Sequence, residues 1–246
     1  MDAGRRARLL TQLSDLHCAD RGLLSNARCL SEGVDVPTLD GVAFIDPKNS
    51  EVDIIQAAGR AIRKSDTKTV GTIVSPVSVD RDEDTETALD SSAFKPVWNV
   101  LRALRSHDEE LAAELDELRR GLGREGGIPR IPRKIHVDLP DHVGSDFAEA
   151  FNVRLVEQSS ASWEFWFGLL ERYVARTGDG RVPVSHLERG RKLGSWVVAQ
   201  RHNRVKGLLS GEQENRLAAL PGWIWNTYDA MWEEGFEALK RYVETH

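Results

Sequence analysis

The sequence predicts an α/β lobe in the first half of the chain and an all-α region in the second half. Short strand patterns alternate with helical patterns through about residue 75, as they do in parallel α/β sheets. The segment GREGGIPRIPRK, residues 123–134, is rich in Gly and Pro and is typical of a domain boundary. From residue 160 onward, an apolar helical stripe occurs twice.

Each element of the first half has its own local signal. The apolar spacing of RRARLLTQLSDLH, residues 5–17, predicts a helix. Ser50 is the predicted N-cap of a helix over SEVDIIQAAGRAIR, residues 50–63, with Asp53 three residues further on. Three segments are predicted strands, the last of them buried: GLLSNAR at 22–28, GVAFIDP at 41–47 and TVGTIVSPV at 69–77.

The middle of the chain has weaker patterns. Residues 80–92 are rich in Asp and Glu and are predicted as an acidic loop. Residues 94–122 have helical spacing and predict either one helix or two in sequence. Residues 126–160 combine Gly and Pro with a weakly patterned stretch, so they are predicted as a linker.

The C-terminal region contains an internal repeat. Five apolar positions at relative spacings 0, +4, +7, +10 and +11 recur 69 residues later, and each set predicts a stripe along a helix. The second copy stops about one helix into its unit, so we expect the chain to be truncated at its C-terminus. The paired positions are Trp163, Phe167, Leu170, Tyr173 and Val174 with Trp232, Phe236, Leu239, Tyr242 and Val243.

The composition is ordinary for a globular protein: of 246 residues, 40% are hydrophobic and 29% charged. No apolar run is long enough to span a bilayer, and the N-terminus has no signal-peptide pattern. We therefore expect a cytoplasmic protein with no membrane partner. Cys18 and Cys29 are the only cysteines, and spacings such as C-x-x-C are absent, so the sequence predicts no metal site.

The formal net charge of −6 conceals one basic stretch. Between residues 181 and 206, seven Lys or Arg residues accompany a single acidic residue, Glu188. An acidic chain with one basic patch indicates a localised site for a polyanion. The alternative is a solvated surface that binds nothing.

Two motifs in the first half resemble those of superfamily-2 helicases. SNARCLSEGVDVP, residues 25–37, resembles their motif V, and QAAGRAIR, residues 56–63, resembles motif VI, Q-x-x-G-R-x-x-R. The order and separation of the two segments also match. The resemblance covers residues 1–125 and implies part of the second RecA-like lobe of such an enzyme.

In these helicases ATP lies between two lobes, and arginines stabilise the charge that develops on the γ-phosphate. The resemblance implies that Arg60 and Arg63 are these arginine fingers, with Gln56 and Gly59 in the same motif; the alternative is that both arginines only pair with nearby acids. Motif V implies nucleotide-coupling roles for Gly33 and Asp35. It also implies phosphate contacts from Ser25, Asn26 and Arg28, whose alternative is strand packing and surface charge.

The sequence contains only part of such an ATP site. The phosphate-binding pattern G-x-x-x-x-G-K-[ST] occurs nowhere in it. Segments 82–85 and 108–111 resemble a D-E-x-x motif, but they follow motif VI, whereas the family places that motif before motif V. We therefore expect a first RecA-like lobe as a partner outside this chain. ATP and Mg²⁺ are expected only in the complete enzyme, with no cofactor bound by this chain alone.

Residues 161–225 resemble the helicase-associated domain found behind bacterial helicases of this kind. Matching features include Leu193-Gly194-x-Trp196 and Gly222-Trp223-x-Trp225. The resemblance implies an all-α repeat, and residues 226–246 are expected to begin a second, truncated one.

Three helices are expected in this repeat. The first carries the Trp163 stripe, the second covers about 189–205, and the third starts at Ser210 with Gln213 as its capping-box partner. The tryptophans are expected in the core. The second helix is expected to carry the nucleic-acid contacts, with DNA favoured over RNA: Arg191, Lys192, Arg201 and Lys206.

Three functional interpretations are left open. The leading one is a C-terminal fragment of an ATP-dependent helicase or translocase. The second is a stand-alone nucleic-acid-binding module with a relic lobe, inactive as an enzyme. The third is a non-functional remnant of a split gene.

Overall fold

The computed structural model describes residues 3–15, 22–25, 39–45, 50–61, 70–79, 84–139 and 143–245. The chain divides into two compact units. The first comprises Met1–Leu115 with Ile131–Ser159, and the second comprises Asp116–Arg130 with Ser160–His246. The predicted linker at 126–160 is therefore wrong, because its residues belong to the two units and include a 15-residue helix.

The first unit contains a parallel pair of strands joined through a helix. Strand β1, Gly41–Ala43, pairs in parallel with β2, Thr72–Val74. Helix α2, Glu51–Ala61, lies between them in sequence and packs against both strands, as a parallel connection requires. The Oγ of Ser50 accepts a hydrogen bond from the Asp53 backbone N–H at 3.4 Å, which confirms the predicted N-cap.

The predicted N-terminal helix is present, whereas the other two strand predictions are only partly confirmed. Helix α1, Ala3–Ser14, confirms the predicted N-terminal helix. Residues 22–25, the described part of the first predicted strand, have no regular secondary structure. Strand β2 is not buried as predicted, because Thr72 and Val74 are exposed and only Ile73 packs against the core of Phe44 and Ile54.

Among its described residues, the first unit contains three further helices: α3, Thr85–Asp90; α4, Lys95–Arg105; and α6, Ser145–Ser159. Helix α6 packs against α3 and α4, and α4 packs against α2. Four aromatic side chains join α4 to α6, with ring centroids 5.6–6.2 Å apart: Phe94, Trp98, Phe147 and Phe151.

Residues 84–92, the described part of the acidic segment 80–92, are not the predicted loop, since they include helix α3. A carboxylate oxygen of Asp84 accepts a hydrogen bond from the Thr87 backbone N–H. Asp84 is therefore the N-cap of helix α3. Segment 94–122 contains two helices, α4 and α5, Glu109–Arg124. The first residues of α5 belong to the first unit, and residues 116–124 belong to the second.

The second unit adds four helices to the end of α5: α7, Ser162–Thr177; α8, Leu193–Val205; α9, Gly211–Ala218; and α10, Thr227–Thr245. The capping box predicted for α9 is present, since Ser210 and Gln213 each bind the other's backbone N–H through their side chains. The core of the unit lies among α7, α8 and α9 and includes Leu170, Leu193, Val197 and Leu217, all fully buried.

Two glycines allow α5 and α7 to approach closely within the second unit. A methyl group at Gly123 would overlap the backbone carbonyl of Phe165, and one at Gly168 would overlap that of Arg120. The N-terminus of α7 is held from α5 as well, because Asp116 accepts a hydrogen bond from the Ala161 backbone N–H at 3.1 Å. Residues 116–124 are thus an integral part of the helical unit.

Candidate functional site

The helix that carries the predicted motif VI has one packed face and one exposed face. Ile54, Ala58 and Ala61 of α2 are buried in the first unit. Gln56 and Gly59 are exposed, and a side chain at Gly59 would meet nothing within 4 Å. The backbone of Arg60 lies in α2, whereas its side chain and the whole of Arg63 fall outside the described residues.

Most of the predicted motif V site also lies outside the residues that the structure describes. This applies to Asn26, Arg28, Gly33 and Asp35, whose roles stay predictions. Ser25 is described, and it is exposed in a segment without regular secondary structure.

Helix α8 begins at Leu193 rather than at residue 189. A tight antiparallel turn precedes it, in which Glu188 and Arg191 exchange two backbone hydrogen bonds of 2.9 Å. The two central residues, Arg189 and Gly190, have φ values of 51° and 73°, as a type I′ turn requires. Arg191 and Lys192 were predicted on the helix, but they lie in the turn and at the N-cap and remain exposed.

Arg201 has contacts inside the second unit. Its Nε donates to the Ile224 carbonyl oxygen at 2.8 Å, and its guanidinium lies 5.3 Å from the ring centroid of Trp223. Burial lowers the pKa of the Arg201 guanidinium. Arg201 therefore helps to fix the segment after α9, and its phosphate contact stays a prediction.

Two more basic residues of the 181–206 stretch are held by neighbouring acids. The Nε of Arg204 lies 3.1 Å from a carboxylate oxygen of Glu214, and its guanidinium lies 4.4 Å from the ring centroid of Trp225. Arg181 pairs with Asp179 at 3.1 Å. The exposed charges that remain include Arg191, Lys192 and Lys206.

Three tryptophans of α7 and α8 pack against one another and against the core but are only partly buried, whereas the sequence predicted them in the core. Trp163 donates its Nε1–H to the Gln200 side-chain oxygen at 3.0 Å and lies against Trp196, with centroids 5.9 Å apart. Trp196 also stacks on Trp166 at 6.2 Å with an interplanar angle of 10°. Packing explains the glycine of the Leu193-Gly194-x-Trp196 pattern, because a side chain at Gly194 would overlap the backbone of residues 183–184.

Sequence reasoning missed a buried carboxylate at the start of the basic stretch. Glu188 has a 7% exposed side chain, and it accepts hydrogen bonds from Arg172 at 3.1 Å and Arg176 at 2.8 Å. His186 Nε2 lies 3.0 Å from the same carboxylate. Burial alone would raise the pKa of Glu188, but these hydrogen bonds lower it below its ordinary value. The only sequence signal was a single acid among seven basic residues.

Helix α10 exposes the stripe that α7 buries. Phe167, Leu170 and Val174 of α7 lie in the core, whereas the matching positions on α10 are exposed to solvent. Trp232 is 75% exposed and Leu239 is 59% exposed. The assignment of residues 226–246 to a second repeat stays a prediction.

Within the described ranges, no three of the His, Cys, Asp and Glu side chains are grouped so that they could hold a metal ion. None of the helices in this part of the chain combines the length and the apolar character needed to cross a bilayer.

The α/β unit with parallel strands and the helical unit that follows it in the chain each contain a segment that matches a known family model. Residues 1–65 match the family described as helicase conserved C-terminal domain. Residues 160–226 match the helicase associated domain. The chain therefore contains a helicase conserved C-terminal domain followed by a helicase associated domain, which confirms the resemblance found in the motifs.

Two known proteins are similar to this chain. Probable helicase A859L of African swine fever virus is 40% identical over 237 residues, which cover 90% of this chain and 26% of the viral protein. The chain thus spans about a quarter of that relative's length. The ATP-dependent Type ISP restriction-modification enzyme LlaBIII, solved bound to DNA, is 24% identical with a TM-score of 0.54. That match covers 85% of this chain and 16% of LlaBIII, and at this identity it shows the fold alone.

Proposed function

We propose that this chain acts as the C-terminal part of an ATP-dependent nucleic-acid helicase or translocase. Its first unit supplies arginine fingers to an ATP site shared with another RecA-like lobe, and its second unit binds DNA. The observation that carries the proposal is the packing of α2, which buries Ile54, Ala58 and Ala61 and leaves Gln56 and Gly59 exposed.

Helix periodicity supports a shared side for the motif VI positions of α2. At about 100° per residue, positions 59 and 60 lie about 60° and 40° to either side of Gln56, whose side chain is exposed. A second lobe that binds ATP and Mg²⁺ would meet this face. Arginine suits the role because its planar guanidinium is always charged and can bind two phosphate oxygens at once.

The test is ATP hydrolysis in a protein that joins this chain to a first lobe, at saturating DNA. Either Arg60→Ala or Arg63→Ala should lower the rate by about 10³-fold or more, and Arg→Lys should restore little of it. Arg102→Ala is the matched control, because Arg102 is an exposed arginine of the same unit that binds Asn99 on its own helix. Normal hydrolysis by the Arg60 and Arg63 variants would show that motif VI is misassigned.

DNA binding is proposed for Arg191, Lys192 and Lys206, which are exposed in the second unit. If each neutralises one phosphate, the logarithm of the binding constant should fall with the logarithm of salt concentration with a slope of about −3. Replacing all three by Gln should bring the slope near zero, whereas replacing Lys240 and Arg241 on α10 should leave it unchanged. Fluorescence anisotropy with a labelled duplex measures both slopes.

A stand-alone binding module makes the same salt prediction. It differs in predicting that the Arg60 and Arg63 substitutions have no effect on hydrolysis in the joined protein.

A further inference from the structure

The proposed DNA binding does not specify which part of the DNA the solvent-facing side of helix α8 contacts. Leu193 and Val197 point into the core, and Gln200 is buried beside Trp163. The opposite face is exposed along its whole length, with the helical spacing 0, +3, +4, +7, +10 and +11. Its members are Ser195, Val198, Ala199, His202, Val205 and Lys206.

This face is neutral at its centre and basic at its ends. No acidic residue occurs between Glu188 and Glu212, so α8 carries no carboxylate. Lys192 at the N-cap and Lys206 at the C-cap are both exposed, and within the described ranges neither forms an ion pair. Lys206 is fourteen positions after Lys192, which corresponds to about 21 Å along a helix.

We infer that α8 enters the major groove of B-form duplex DNA with this face; the inference rests on the proposed DNA binding of the second unit. The major groove is about 12 Å wide and admits an α-helix. Small side chains at Ser195 and Ala199 let the helix backbone approach the base edges. Lys192 and Lys206 reach phosphates beyond the two ends of the helix.

The exposed valines select the kind of base edge that this helix meets. Val198 is 41% exposed and Val205 is 86% exposed, although both lie on a solvent-facing helix. In the major groove the thymine methyl group offers the apolar surface that such side chains contact. The helix therefore favours A·T-containing duplexes through apolar contact.

Single-stranded nucleic acid and duplex RNA fit this surface less well. Single strands are bound by aromatic side chains that are free to stack on bases, whereas Trp166 stacks on Trp196, and Trp163 packs against Trp196 at an angle. The major groove of A-form RNA is deep and narrow, so a helix does not enter it.

Duplex DNA binding by the full chain, measured by fluorescence anisotropy at about 50 mM salt, tests the inference. Ala199→Glu and Ser195→Glu each place a carboxylate at the centre of the face and should weaken binding by about tenfold or more. Ala218→Glu, at an exposed position on α9 of the same unit, should change binding by no more than about twofold. All three positions are exposed, and circular dichroism melting verifies that each variant is folded.

Two further duplexes separate groove entry from simple attraction to phosphates. A duplex with deoxyuridine in place of thymidine lacks the methyl groups and should bind about two- to fivefold more weakly. Duplex RNA of the same sequence should bind at least about tenfold more weakly. Equal losses for Ala199→Glu and Ala218→Glu, or equal affinity for DNA and RNA duplexes, would overturn the groove assignment and leave DNA binding intact. Failure of the unmodified chain to bind any duplex would overturn both.

Discussion

Arg216 makes the best-defined ion pair in the second unit, and the loss of stability on removing the Arg216 side chain can be estimated. Its two terminal nitrogens donate to the two carboxylate oxygens of Glu164, each at 2.7 Å. The Glu164 side chain is only 11% exposed. The Arg216 guanidinium also lies 4.8 Å from the ring centroid of Trp163 and 4.5 Å from that of Phe167. The hydrogen bond to Glu164 raises the pKa of Arg216, so the guanidinium stays charged.

Arg216→Ala should leave Glu164 buried without its partner. Breaking a buried pair in this way costs about 3–5 kcal/mol, most of it from the uncompensated charge. For a unit of about 100 residues, each kcal/mol corresponds to about 4–8 °C, so the melting temperature should fall by at least about 12 °C. Arg204→Ala is the matched control, because Arg204 also pairs with a glutamate and covers a tryptophan but is 42% exposed. It should cost about 0–1 kcal/mol.

Circular dichroism melting and urea unfolding of the full chain measure both variants. The double variant Glu164→Leu/Arg216→Leu removes both charges, so it should be more stable than Arg216→Ala although it lacks the ion pair. Equal losses for Arg216→Ala and Arg204→Ala would refute the argument from burial. A double variant less stable than Arg216→Ala would refute the argument from the unpaired charge.

Three further predictions concern the two units. Gly123→Ala should destabilise the second unit by about 1–3 kcal/mol, because the added methyl group would overlap the backbone of Phe165. Gly121→Ala should instead stabilise α5 by about 0.5–1 kcal/mol, because its methyl group would meet no atom within 4 Å. Thermal melting of the two variants distinguishes these outcomes. The pKa of Glu188 is lower in the folded state, so its contribution is present above about pH 4.5 and is lost as the pH falls further. Glu188→Gln should flatten the fall in melting temperature between about pH 5 and 3, and an unchanged slope would contradict this. The chain alone should hydrolyse ATP at background rates, and turnover of about 1 s⁻¹ or faster would contradict that expectation.

Local signals predicted two helix starts correctly, whereas burial on several sides hid the amphipathic pattern of another helix. Ser50 and Ser210 were identified correctly because an N-cap depends on residues only three positions away. Helix α6 was missed within the predicted linker because it has no single apolar stripe. Phe147, Phe151 and Leu155 are buried, and Val153 on another side is half-buried, so the polar face that reveals an amphipathic helix is narrow.

The basic surface was predicted from the spacing of residues along the sequence. This spacing does not show which of the basic side chains bind other residues of the protein. Arg201 binds the carbonyl oxygen of Ile224 and Arg204 binds Glu214, partners 23 and 10 residues away that helix periodicity does not link to them. The start of α8 depends on Arg189 adopting a positive φ, which an arginine rarely does. Guanidinium packing supports this conformation, since Arg189 occupies the space where a side chain at Gly126 would lie.

Glu188 explains why a basic stretch contains one acid. Its side chain binds Arg172 and Arg176 on α7, while its backbone forms the tight turn with Arg191. One carboxylate therefore binds two arginines of α7, and the same residue fixes the turn that leads into α8. Because Arg181 and Arg204 also pair with acids, the exposed positive charge is concentrated before and after α8, at Arg191, Lys192 and Lys206. In the proposed complex, a polyanion would meet an outward face of α8 that is neutral at its centre and cationic at its ends, and this distribution fits a helix in a groove between phosphate strands better than a uniformly basic surface would.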